Sequence, residues 1–284
     1  MISISKGFSD SIFVDALFTP ILVPFWLYST FLKSKAKPTG IVKGIMVSYF
    51  SIISNSIVSD ATSGSNIDLL VKNLVSYGGE NWEHTIGPNE LPQISLRSNN
   101  PETLSADARV NKFLQDLDIS VLFFIELLED LDNHIVQQEF VIVLERWLKL
   151  NDDTSQIGEQ KSPFFALIDM KVLEEMANKF KEDLAKTPRE ILIVVSKFLR
   201  FGSTGSQVKI EADEVDSDDD DDMDENFHLQ TLPILLQLLS AIVSETFEFD
   251  DNTKPILKEI IDQLKLITGL LKPAAEAVRS RLEE

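Results

Sequence analysis

Side chains able to do chemistry are few in this sequence, and their spacing is wrong for most chemistries. The densest group is IEADEVDSDDDDDMDENF, residues 210–227, where eleven of the fifteen positions from Glu211 to Glu225 are acidic. Within it Asp218, Asp219, Asp220, Asp221 and Asp222 are contiguous. A calcium loop needs ligands at alternating positions, a glycine at its sharp turn and a glutamate at its twelfth position. Consecutive aspartates without a glycine do not supply that geometry. The histidines are His84, His134 and His228, and no two have the one-face spacing of a helical zinc pair. The absence of cysteine excludes disulfides, thiolate metal sites, iron–sulfur clusters and cysteine nucleophiles. No G-x-S-x-G elbow or Walker-type phosphate loop is present. GSTGS at 202–206 has neither the following lysine nor the preceding strand. The sequence therefore assigns no catalytic, cofactor-binding or metal-ligating residue, calls for no cofactor, and argues against an enzyme.

Two readings of the acidic run stay open. It is too polar to bury and repels itself, which makes a disordered tether between packed pieces. Alternatively Asp218–Asp222 contact a basic partner. Ser217 lies three residues before Asp220, a context that suits acid-directed kinases, and a phosphate there would add about two negative charges. The run carries more than half of the formal charge of −20. An acidic chain with no basic stripe is ill-suited to gripping phosphate backbones, so protein partners are expected and nucleic acid is not.

The elements that must position these residues are helical nearly throughout. The apolar period predicts short helices at 10–18 and 21–34, separated near Pro20, then Thr39–Ile57 and Asn66–Tyr77, with Asn66 as a cap. The period breaks over NWEHTIGPNELPQISLR, where QISLR alternates apolar and polar, so a strand or hairpin is expected. Helices resume at Ser105, a predicted N-cap. Pro163 suits a first turn, as does Pro255, with Asn252 or Thr253 capping before it. Thr187 caps a helix that Gly202 ends. Trp26 and Trp147 fall on apolar faces and read as core, and Trp82 reads as an anchor for the irregular segment.

Residues 16–32, ALFTPILVPFWLYSTFL, are uncharged and precede KSKAK. A membrane span needs about 20 apolar residues. This run is shorter and holds Pro20 and Pro24, so packed helices are expected here and a membrane anchor is the alternative.

Three stretches taken in order carry a resemblance: FTPILVPFWLYSTF (18–31), ENWEHTIGPNELPQISLR (80–97) and LPILLQLLSAIVSETFEFDDNTKPILKEIIDQLKLI (232–267), the last following the acidic run. Together they resemble the RNA polymerase II assembly factor family, which includes the animal transport and Golgi organization protein six. The resemblance implies a non-enzymatic, cytoplasmic helical-repeat scaffold that helps assemble RNA polymerase II and deliver it to the nucleus. Its implied partners are polymerase subunits and nuclear transport factors. For animal relatives it implies secretory-pathway organisation, so a Golgi trafficking adaptor is the alternative. It carries over no catalytic or ligand residue, and this chain would match only a middle portion of such a protein.

The expected architecture is all-α. Two helices and a turn recur at about 40 residues, the spacing of HEAT- or armadillo-like solenoids, with a compact helical bundle as the alternative. Residues 1–202 would form a helical-repeat region with an irregular or hairpin insertion at about 78–104. Residues 203–226 would form the acidic disordered linker, and 227–284 would continue the repeat.

Overall fold

The computed structural model describes residues 11–54, 66–75, 82–96, 105–149, 163–186, 188–205, 222–245, 249–267 and 272–283. These residues are mostly helical, as expected: ten helices and one hairpin. In chain order they are α1 (Ser11–Ser34), α2 (Gly40–Ser54), α3 (Asn66–Lys72), β1 (Trp82–Ile86), β2 (Pro92–Leu96), α4 (Ala106–Leu128), α5 (Asn133–Lys149), α6 (Pro163–Lys186), α7 (Arg189–Gly205), α8 (Asp222–Glu245), α9 (Lys254–Leu264) and α10 (Lys272–Glu283). The chain divides into two compact units, Met1–Val143 with Gln160–Glu175, and Leu144–Glu159 with Met176–Glu284.

The break expected at Pro20 does not occur, and α1 is one helix of 24 residues running through Pro20 and Pro24. The prolines lie four apart, so they deprive the carbonyls of Ala16 and Pro20 of their donors. Ala16, Pro20 and Pro24 are all on the exposed side, where water can take over those bonds. On the opposite side Val14, Phe18, Leu22 and Trp26 repeat every four residues and are buried. That continuous apolar stripe outweighs the local cost of the prolines.

In the first unit α1 packs on α2, α3 and α4. Met46, Tyr49 and Phe50 of α2, Leu70 and Val71 of α3, and Val121, Phe124 and Leu128 of α4 complete the core. Trp26 stacks on Phe123 at 5.3 Å and meets Phe124 edge-on at 6.2 Å. Two ion pairs lie at the margins, Lys33 with Glu126 at 2.7 Å and Lys43 with Asp130 at 2.8 Å. Helix α4 starts as the sequence predicts: the Ser105 hydroxyl accepts the Ala108 N–H at 3.2 Å.

The expected hairpin is present. Strands β1 and β2 pair antiparallel in the register Trp82↔Leu96, His84↔Ile94 and Ile86↔Pro92. The turn closes through the Gly87 N–H to the Leu91 carbonyl at 2.8 Å, with Glu90 at a φ of 59°.

In the second unit α7 packs on α8 and α9, and α8 on α10. Leu192, Val195 and Leu199 of α7 are buried, as are Leu235, Leu239 and Ile242 of α8 and Leu257, Ile260 and Leu264 of α9. Arg200 pairs with Glu259 between α7 and α9. Pro163 opens α6 as predicted, and a non-helical residue, Phe180, kinks that helix. Thr253 occupies the N-cap of α9, with Pro255 in the first turn, but its side chain makes no capping bond. The Asp250 carboxylate instead accepts the Thr253 N–H at 2.8 Å.

Candidate functional site

The acidic run falls almost wholly outside the described residues. Ser217 and Asp218, Asp219, Asp220 and Asp221 lie outside them, while Asp222 is the first residue of α8. Helix α7 extends past Gly202 to Gly205. Both helices therefore enter the span 203–226 expected to be linker, and 206–221 lies outside the described residues. Thr187, the predicted cap of α7, also lies outside them; α7 begins with the Pro188 carbonyl accepting the Leu192 N–H at 2.9 Å.

Asn66 does not play the capping role expected of it. Its side-chain amide donates across the unit to the Asp15 carboxylate at 2.8 Å and to the Tyr49 hydroxyl at 2.6 Å. Asp15 Oδ1 also accepts the Thr19 hydroxyl at 2.7 Å and the Tyr49 hydroxyl at 2.7 Å. Four polar side chains thus join α1, α2 and the first residue of α3 at one point. Burial pushes the Tyr49 phenol well above its ordinary range; contact with Asp15 adds to this, and the Thr19 and Asn66 hydrogen bonds oppose it. A neutral phenol that stays protonated can keep donating to Asp15. We read it as a structural lock, because its bonds tie three helices together. Among the described residues no group of His, Asp and Glu could hold a metal ion.

The hairpin is fixed to α1 by aromatic contacts. The His84 ring lies 5.5 Å from Tyr28, 5.6 Å from Phe31 and 5.2 Å from Trp82. The ring that meets α1 is that of His84, and Trp82, expected to be the anchor, contacts His84 within its own strand. A cavity of about 140 Å³ lies alongside, lined among others by Phe31, Leu74, His84, Asp116 and Ser120. Glu83 also lines it, and at this volume it has room for one side chain or a few waters. Burial lowers the His84 pKa from its ordinary value. The sign follows: the neutral imidazole is the folded form, so its contribution is present above about pH 6.5 and is lost as pH falls through the depressed folded value. Once the slower intrinsic exchange at lower pH is allowed for, we expect amide exchange in β1 and β2 to accelerate on acidification below about pH 6.5. In His84→Phe, which keeps the ring contacts without the charge, that acceleration should vanish.

Exposed apolar side chains of the first unit include Ile41, Val110, Leu114, Leu122 and Phe165, and two further groups. Along α1 these are Ile12, Phe13, Leu17 and Ile21, and on the hairpin they are Leu91, Ile94 and Leu96. Isolated exposed apolar residues are ordinary on protein surfaces, but grouped ones suit the binding of other proteins.

The arrangement is one of helix faces, a hairpin and an internal polar lock. The chain is similar to RNA polymerase II assembly factor RTP1 of Saccharomyces cerevisiae. Identity is 28% over 203 residues, covering 63% of this chain and 20% of the relative. The family resemblance read from the three sequence stretches is thereby supported by a curated protein, of which this chain spans about a fifth. No family model matches the chain. No solved structure matches it.

Proposed function

We propose that the chain is a non-enzymatic protein-binding scaffold that acts in RNA polymerase II assembly. The observation that carries this is the similarity over 203 residues to a protein whose described role is that assembly. The helical make-up suits it, because helix faces and the grooves between them offer extended surfaces for other proteins. In this reading the helices stack as HEAT- or armadillo-like repeats, the partners are polymerase subunits and nuclear transport factors, and the protein works in the cytoplasm and accompanies its cargo toward the nucleus.

Affinity purification of the tagged chain with mass spectrometry tests the reading. Recovery of polymerase II subunits in the soluble fraction is the expected result. Coat components in their place would favour the Golgi adaptor. Helix α1 is long and apolar enough to cross a membrane, yet Phe18, Leu22 and Trp26 are spent on packing within the first unit. Association that resists carbonate extraction would overturn the packed reading of this helix.

The acidic run acts in this proposal as a tether. Replacing Asp218–Asp222 by serine removes five charges and keeps the length; serine also serves at the start of α8, where Asp222 stands. Partner affinity, association rate and salt dependence should then be unchanged, with helical content intact by circular dichroism. Weaker binding at low salt would make the run a contact site.

A further inference from the structure

The hairpin is a two-stranded sheet, so neither of its outer edges has a strand partner among the described residues; β2 is the more exposed strand, and its chemistry is unusual for an edge left open. The Gly87–Leu91 hydrogen bond and the register fix which residues bond inward. In an antiparallel pair hydrogen-bonded and non-hydrogen-bonded positions alternate. Thr85↔Gln93 and Glu83↔Ser95 therefore exchange the ladder bonds, and Pro92, Ile94 and Leu96 turn their backbone groups away from β1. Pro92 has no N–H to offer, so it guards only the start of the edge. Among the described residues nothing bonds the outward N–H and carbonyl groups of Ile94 and Leu96, and their side chains are 67% and 84% exposed. Protected edges usually carry lysine or another inward charge. Residues 82–96 contain no lysine or arginine; their charged side chains are Glu83 and Glu90.

We propose that the edge of β2 docks an extended segment of a basic protein, which adds to the hairpin as a third strand. Main-chain bonds to Ile94 and Leu96 would supply the attachment. The apolar face that begins with Trp82 and His84 and continues through Ile94 and Leu96 selects apolar residues at alternate positions of that segment. Charge selects its sign: an acidic hairpin on a chain of net charge −20 attracts lysine and arginine between those apolar positions. The same charge disfavours a second copy of this chain. The proposal deepens the protein-binding reading and rests on it, but it is independent of whether the partner is a polymerase subunit.

Amide exchange of the whole chain, with and without a synthetic peptide alternating valine and lysine, tests it. The N–H groups of Ile94 and Leu96 should slow about tenfold or more at saturation, while those of Gln93 and Ser95, already in the ladder, should change little. Ile94→Pro deletes an outward N–H without removing a ladder bond, and it should weaken the peptide about five- to tenfold. Unchanged exchange of Gln93 and Ser95 in the peptide-free variant would show that its hairpin remains paired. No slowing at Ile94 and Leu96 would overturn the proposal. Equal slowing by a valine–glutamate peptide would overturn the basic class of partner. Slowing that depends on protein concentration alone would point to a second copy and overturn it as well. Because the probe is a peptide, failure here leaves the polymerase reading standing, and absence of polymerase subunits from a pull-down leaves this one standing.

Discussion

Trp26→Ala should destabilise the first unit by about 3–5 kcal/mol, the range for emptying a buried aromatic site. Trp26 is 0% exposed, stacked on Phe123 and edge-on to Phe124. Its loss removes the aromatic contact between α1 and α4 and leaves a hole that two rigid rings cannot fill. Trp26→Phe should cost far less, about 1 kcal/mol, because the indole Nε1 has no hydrogen-bond partner among the described residues. Phenylalanine gives up volume and also removes a buried, unpaired N–H. Denaturant titration of the three proteins measures both values. An alanine variant within about 1 kcal/mol of wild type would mean that α1 does not contribute its apolar side to this core, and would reopen the membrane reading of residues 16–32.

The second large effect is expected at Asp15. One of its oxygens accepts from Thr19, Tyr49 and Asn66 at once, so Asp15→Ala removes three hydrogen bonds in a partly buried place and leaves only those that Thr19, Tyr49 and Asn66 make with one another. The cost should be about 3 kcal/mol. Asp15→Asn keeps an acceptor oxygen in the same position and should recover most of it. Thermal and chemical denaturation of the pair gives the comparison. Equal, small losses for Ala and Asn would show the four groups to be neighbours that do not depend on one another.

The contrast between Asn66 and Ser105 marks how far the sequence could be read. Both are small polar residues at helix starts, and both read as caps. Ser105 has only its own helix to bond, and it caps. Asn66 lies within reach of Asp15 and Tyr49, fifty-one and seventeen positions away in the chain, and charge-assisted bonding to them wins over local capping. No spacing rule reveals such a meeting of α1, α2 and α3, so the polar lock was not legible. Pro20 misled for a related reason: the local rule ends a helix there, but a tertiary stripe of Val14, Phe18, Leu22 and Trp26 carries it through. The hairpin was legible because alternation in QISLR and the Gly-Pro-Asn turn are local signals. Its open edge was not, since that depends on which residues of β2 face β1. The helical class, the Ser105 cap and the Pro163 start all rest on the 3.6-residue period and near-neighbour chemistry, which a single sequence does carry.

The central proposal is that this chain serves RNA polymerase II assembly by binding protein, without catalysing a reaction. Depleting the protein in its own cells and following newly made polymerase II subunits tests that most directly. The account predicts that the large subunits accumulate in the cytoplasm outside the complete enzyme, and that restoring the chain rescues them while Trp26→Ala, with its first unit destabilised, does so poorly. Normal incorporation of new subunits into nuclear polymerase after depletion would contradict it.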